Sequence, residues 1–296
     1  MNKTEGYRIV RVFGPTDPEP QFKLIDEVNF EGMAPREFYL PVPNTKEIAK
    51  HYGMIQPNWI EKIANLKNPN VLEPATAIST EPLPLLELKV NWVTPPDVMA
   101  YRAGKIKIAP MTSVGICITK DNQLIVGLRG GELVPDAIEK YATGFYGTIP
   151  AGMTTWTRTE NPIKETIKHE FCEEIGFFEY EIGKMIGIVE STGRLPNRNF
   201  YVTLKTDATL EQIQKVNRRA NEEYKTLKTK GTKKEEIEAE LRRLELPIDC
   251  WESDPIRSIP NDSASIEQVL EALRGSFIGP ALGALNIYAQ TLKYIK

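Results

Sequence analysis

Ten residues, HEFCEEIGFF at 169–178, constrain this chain more than any other stretch. They read as the end of a helix that stops at Gly176. On an α-helix Glu170, Glu173 and Glu174 stand at i, i+3 and i+4, so one face carries three carboxylates. Like charges at that spacing repel by about 0.2–0.5 kcal/mol per pair. They also sit at the C-terminal end of the helix, where negative charge opposes the macrodipole. No Lys or Arg stands three or four residues away to neutralise them. A solvated helix face is the plain explanation of such a run. The alternative is a hard divalent cation, which takes carboxylate oxygens together with waters and substrate phosphates.

The surrounding sequence builds a frame for this helix. IKIAPMTSVGICITKDNQLIVGLRGG (106–131) reads as strand, turn at Asp121-Asn122, strand. GFYGTIPAGM (144–153) is a glycine-rich approach to something buried. Asn161-Pro162 opens the helix, with Asn as N-cap and Pro at the first helical position. Ile167, Phe171 and Ile175 repeat every four residues as its buried stripe, with the glutamates on a neighbouring face. KMIGIVEST (184–192) and NFYVTLKT (199–206) read as strands flanking the turn GRLPNR.

Residues 209–246 are highly charged and helix-forming, with Gly231 as the break, and predict a helical hairpin. Each half has one sparse apolar stripe, enough to pair with the other half or with a second subunit but not to make an independent core. The hairpin is expected to cap the active site or to contact a second copy in a homodimer; a solvated excursion is the remaining reading. Two helices, over 265–275 and 278–295, close the chain. Before residue 100 the sequence is proline-rich. It suggests strands at 7–13 and 85–93, short helices at 44–53 (with Gly53 as stop) and 57–67, and a soft boundary near 100. The expected organisation is an N-terminal α+β region over 1–100, then an α/β domain over 101–296 interrupted by a helical insertion at 207–248.

Composition excludes several classes. A formal charge of -3 over 296 residues does not suggest a nucleic-acid-coating protein. Three widely spaced cysteines fit neither a disulfide framework nor a zinc ribbon and suit a reducing compartment. Two histidines, His51 and His169, leave little for a His-rich zinc site. The N-terminus lacks the apolar core of a signal peptide, and no segment approaches about 20 continuous apolar residues. The expectation is a cytoplasmic protein with no membrane and no nucleic-acid partner.

The glycine loop followed by a helix ending in His169-Glu170-Phe171-x-Glu173-Glu174-x-Gly176-Phe177 resembles the Nudix box. Gly152 in IPAGM matches the box glycine, and Glu170, Phe171, Glu173, Glu174, Gly176 and Phe177 occupy the expected places in its later half. The resemblance covers about 105–206 and extends to 250–296. It implies a Nudix α/β/α sandwich with a mixed sheet. It also implies Mg²⁺, or Mn²⁺ in its place, bound by Glu170, Glu173 and Glu174. The substrate class it implies is a nucleoside diphosphate linked to another group, cleaved at the pyrophosphate by water.

Two features depart from the family pattern. His169 stands where the family has an arginine that orients the glutamates; its imidazole is within reach of Glu173, four residues on, or is simply a polar surface group. Sixteen residues separate Gly152 from His169, three more than in the pattern, with Glu160 nearest to the early box glutamate. Glu173, Glu174 and Glu190 are the candidates for orienting or deprotonating the water. Arg129, Arg194 and Arg198 are candidates for holding substrate phosphates, since a guanidinium suits bidentate oxyanion contacts. The competing reading is a Nudix-fold module that binds a nucleotide or partner without turnover.

Overall fold

The computed structural model describes residues 6–14, 17–24, 52–55, 87–93, 109–129, 144–154, 161–192 and 197–295. The chain is mixed α/β. Among the described residues the strands are β1 (Tyr7–Val12), β2 (Gln21–Leu24), β3 (Tyr52–Ile55), β4 (Glu87–Val93), β5 (Ala109–Ile118), β6 (Gln123–Arg129), β7 (Tyr146–Thr148), β8 (Ala151–Met153), β9 (Tyr180–Ser191), β10 (Arg198–Thr206) and β11 (Ser253–Pro260). The helices are α1 (Pro162–Glu170), α2 (Leu210–Thr229), α3 (Lys234–Arg243), α4 (Ser263–Leu273) and α5 (Gly279–Ile295).

The strands form one mixed sheet with the order β1-β9-β10-β5-β3-β4-β2; β6 and β8 also pair with β5, and β7 and β11 with β6. The β5–β10 pair is parallel, with Phe200 opposite Ser113, whereas β9 runs antiparallel to both β1 and β10. Alternation along β5 divides the core, as the two-residue period of a strand requires. Met111 and Cys117 join Ile163, Ile167, Phe171 and Ile175 on the α1 face. Val114, Ile116 and Ile118 face Ile266, Leu270, Ala284 and Leu285 of the closing helices. Helices therefore cover both faces, and the stripe read from sequence on α1 is fully buried.

Strands from both sides of residue 100 enter this sheet, since β1 pairs with β9 and β3 with β5. The helix expected over 44–53 fails at its end: Tyr52 and Gly53 belong to β3, paired with Val93 and Trp92. The rest of that segment, the helix expected over 57–67, and the boundary near 100 lie outside the described residues. The insertion does form two helices, with Gly231 between them at φ +78°. It is not a solvated excursion. Ala220, Tyr224, Ile237 and Leu241 enclose a cluster with Leu246, Ile248, Cys250 and Trp251.

Candidate functional site

Asn161 starts α1 by accepting a hydrogen bond from the Lys164 backbone N–H at 3.1 Å. The helix ends in a wide π-helical turn over Phe171–Ile175. Gly176 N–H bonds back to Phe171 O at 3.3 Å and Cys172 O at 3.1 Å, and Gly176 adopts φ +80°. The wider turn re-aims the glutamates. On an ideal α-helix Glu174 overshoots Glu170 by about 40° and Glu173 lags it by about 60°. A π-turn advances less per residue, so it turns Glu174 back toward Glu170 and Glu173 further away.

The contacts follow that geometry. Glu170 lies directly over Gly152 of β8, and a Cβ there would overlap its carboxylate. Glu174 is 3% exposed and accepts the Ala151 N–H at 2.9 Å. Its proton affinity is raised well above that of an ordinary carboxyl, chiefly by burial and then by the charges of Glu252 and Glu170; the Ala151 N–H and Arg129 oppose the rise. Glu252 closes the short 3₁₀ turn Cys250–Glu252 ahead of β11, and Arg129 Nη2 stands 3.5 Å from its carboxylate.

Glu173 has partners of its own among the described residues. Its backbone carbonyl accepts the Asp249 N–H at 2.9 Å, and its carboxylate faces Arg242 of α3 at 3.6 Å. Asp249 lies within the field of both Glu252 and Glu173; burial first, and then those two charges, push its carboxyl up to about 6. The acidic groups thus form a chain running from Glu170 and Glu174 through Glu252 and Asp249 to Glu173. Among the described residues, no three His, Cys, Asp or Glu side chains are drawn together closely enough to enclose a metal ion.

The remaining candidates separate from this centre. His169 is exposed, with its Nε2 3.9 Å from Glu165, one turn earlier on α1. Glu190 is held by Arg8 at 2.6 Å and Arg198 at 3.0 Å. Since β5 and β10 lie between β8 and β9, Glu190 stands about 14 Å across the sheet from Gly152 by strand spacing. Arg194 and Glu160 lie outside the described residues. Sequence reasoning missed Glu252 and Asp249. Both occur in PIDCWESDP, where prolines and mixed acids hide a structured turn. Scanned against models of protein families, the chain matches none, and a search of curated proteins also finds no match.

Proposed function

We propose that the chain is a Mg²⁺-dependent hydrolase, with Mn²⁺ able to serve, that cleaves the pyrophosphate of a nucleoside diphosphate linked to another group on a Nudix fold. The observation that supports this most is the placement of Glu170 and buried Glu174 around the Gly152 strand, with Glu252 beside them. The donors are all oxygens, and burying like charges together is costly without a cation. Mg²⁺ needs only one or two protein carboxylates, the balance being water and phosphate, so this open set fits it. Glu170 and Glu174 would hold the ion, with the charge of Glu252 adding to the field on Glu174.

Such an ion would supply Lewis-acid polarisation of the phosphate and a more acidic water. The chain's own groups do the rest. Glu174, fixed by the Ala151 N–H, would orient a water bound to that ion. Arg129, at the rim beside Glu252, offers a planar guanidinium to a phosphate oxygen. Glu173 ties the π-turn to the insertion through Asp249 and Arg242.

A second reading, binding without turnover, is favoured by His169 standing in place of the box arginine and lying 3.9 Å from Glu165. One experiment separates the two. The protein is incubated with Mg²⁺ and a panel of nucleoside-diphosphate conjugates, and product release is measured for the wild type and for Glu174→Gln. The variant keeps an acceptor for the Ala151 N–H and loses a buried charge, so it should fold at least as stably as the wild type. A fall in turnover of about 10²-fold or more, roughly 3 kcal/mol of barrier, is expected. Wild-type protein that binds the conjugates without releasing product would select the binding module.

A further inference from the structure

The β1–β9–β10 end of the sheet gathers arginines that the glutamate site does not use. Arg8 on β1 and Arg198 on β10 both lie opposite Glu190 of β9 and pair with its two oxygens. Arg11 lies opposite Ile188, two residues before Glu190. Directly opposed residues share a face of the sheet, so Arg11 projects on the same face, one step along. Ile188 and Phe13 belong to the α1-side core, which identifies that face.

Arg11 is completely buried, and among the described residues its Nε, Nη1 and Nη2 have no hydrogen-bond partner. The Phe13 ring centroid lies 5.8 Å from the guanidinium carbon, and Asp17 supplies an opposing charge. The Asp17 carboxylate itself accepts the Gly14 N–H at 2.8 Å. A guanidinium does not shed its proton, and it presents five donors in one plane. Burying it without acceptors costs several kcal/mol, more than a contact with one aromatic ring returns.

We propose that Arg11 is the centre of a phosphate-binding site on this face, flanked by Arg8 and Arg198. The ligand is a phosphate group, either free or carried as a monoester. It brings three or more acceptor oxygens and a charge near -2. A carboxylate would repeat a group that the site already holds twice. This site does not depend on the glutamate centre or on the hydrolase reading.

The test reads binding rather than turnover. Thermal unfolding of the full chain is followed in inorganic phosphate, in a nucleoside monophosphate, and in chloride at matched ionic strength. Millimolar phosphate should raise the melting temperature over chloride by about 2–4 °C, and Arg11→Met should remove that increment. A larger increment with the monophosphate assigns the group to an ester; an equal one assigns it to free phosphate. No increment in the wild type with either probe, or an increment that survives Arg11→Met, overturns the proposal. Should Arg11→Met fail to fold, Arg8→Ala decides: the half-saturating phosphate concentration should rise by about fivefold or more, and an unchanged value overturns the site.

Discussion

Asp249 and Glu174 carry their protons to unusually high pH, for the same primary reason: burial penalises their charged forms, and neighbouring carboxylates add to the penalty. The consequence for stability has a definite sign. An unfolded Asp titrates near 3.8, whereas folded Asp249 titrates at about 6. Between those values the folded chain holds a proton that the unfolded chain has released, so stability falls as pH rises through this window. Two units correspond to about 2–3 kcal/mol, present below pH 4 and lost above 6. Glu174 contributes a slope of the same sign. Asp249→Asn should therefore flatten part of the decline in melting temperature measured from pH 4 to 7, and an unchanged slope would show that Asp249 is well solvated. Mg²⁺ bound at the neighbouring carboxylates should offset the same penalty and stabilise the wild type most above pH 6.

At the scale of elements, the π-turn and its glycine stop decide where the glutamates point. Gly176 adopts φ +80°, and an added Cβ would stand 2.7 Å from Pro247 Cδ, in the chain that follows the insertion. Gly176→Ala meets both the left-handed penalty and this clash. It should cost about 1–3 kcal/mol and weaken the docking of α3 near Glu173; urea unfolding would measure the loss. The stop itself was legible in the sequence, as were the Asn161 cap and the Ile167, Phe171, Ile175 stripe, because each is a local signal. The π-turn was not, since a hydrophobic period of four suits an α-helix as well. An α-helical projection therefore grouped Glu173 with Glu170 and Glu174. β11 was hidden for another reason: Pro255 and Pro260 lie within it, and proline ordinarily marks a segment as unfit for a ladder. Glu252 stayed hidden with it. The pairing of Glu190 with Arg8 joins residues 182 positions apart, and no spacing rule reaches that far.

At the scale of the whole molecule, the insertion acts as a buttress for the chain that delivers Glu252. Ile213 at the start of α2 is buried in the α1-side core. Asn217 Nδ2 donates to Cys250 O at 3.4 Å and Ser253 O at 3.3 Å, and Asn221 Nδ2 donates to Cys250 O at 3.1 Å. Tyr224 packs against Trp251 with ring centroids 6.3 Å apart. These contacts hold the turn Cys250–Glu252 on both sides of Glu252. A lid would leave stability unchanged and shift KM; a dimer contact would change the mass seen in light scattering; a buttress predicts something else. Replacing residues 212–244 with a short Gly/Ser linker exposes Ile248, Cys250 and Trp251 and strips the donors from two buried carbonyls. Each lost donor costs about 1–3 kcal/mol, and the exposed apolar groups add to that, so a large fall in melting temperature is expected, together with loss of Mg²⁺-dependent stabilisation. Asn217→Ala is the milder form of the same test, since it removes the bridging amide and leaves both helices. It should lower stability by about 1–3 kcal/mol and weaken the Mg²⁺ response, because Glu252 loses its fixed position. A variant that loses stability but keeps the full Mg²⁺ response would detach the insertion from the carboxylate centre and reduce its role to packing.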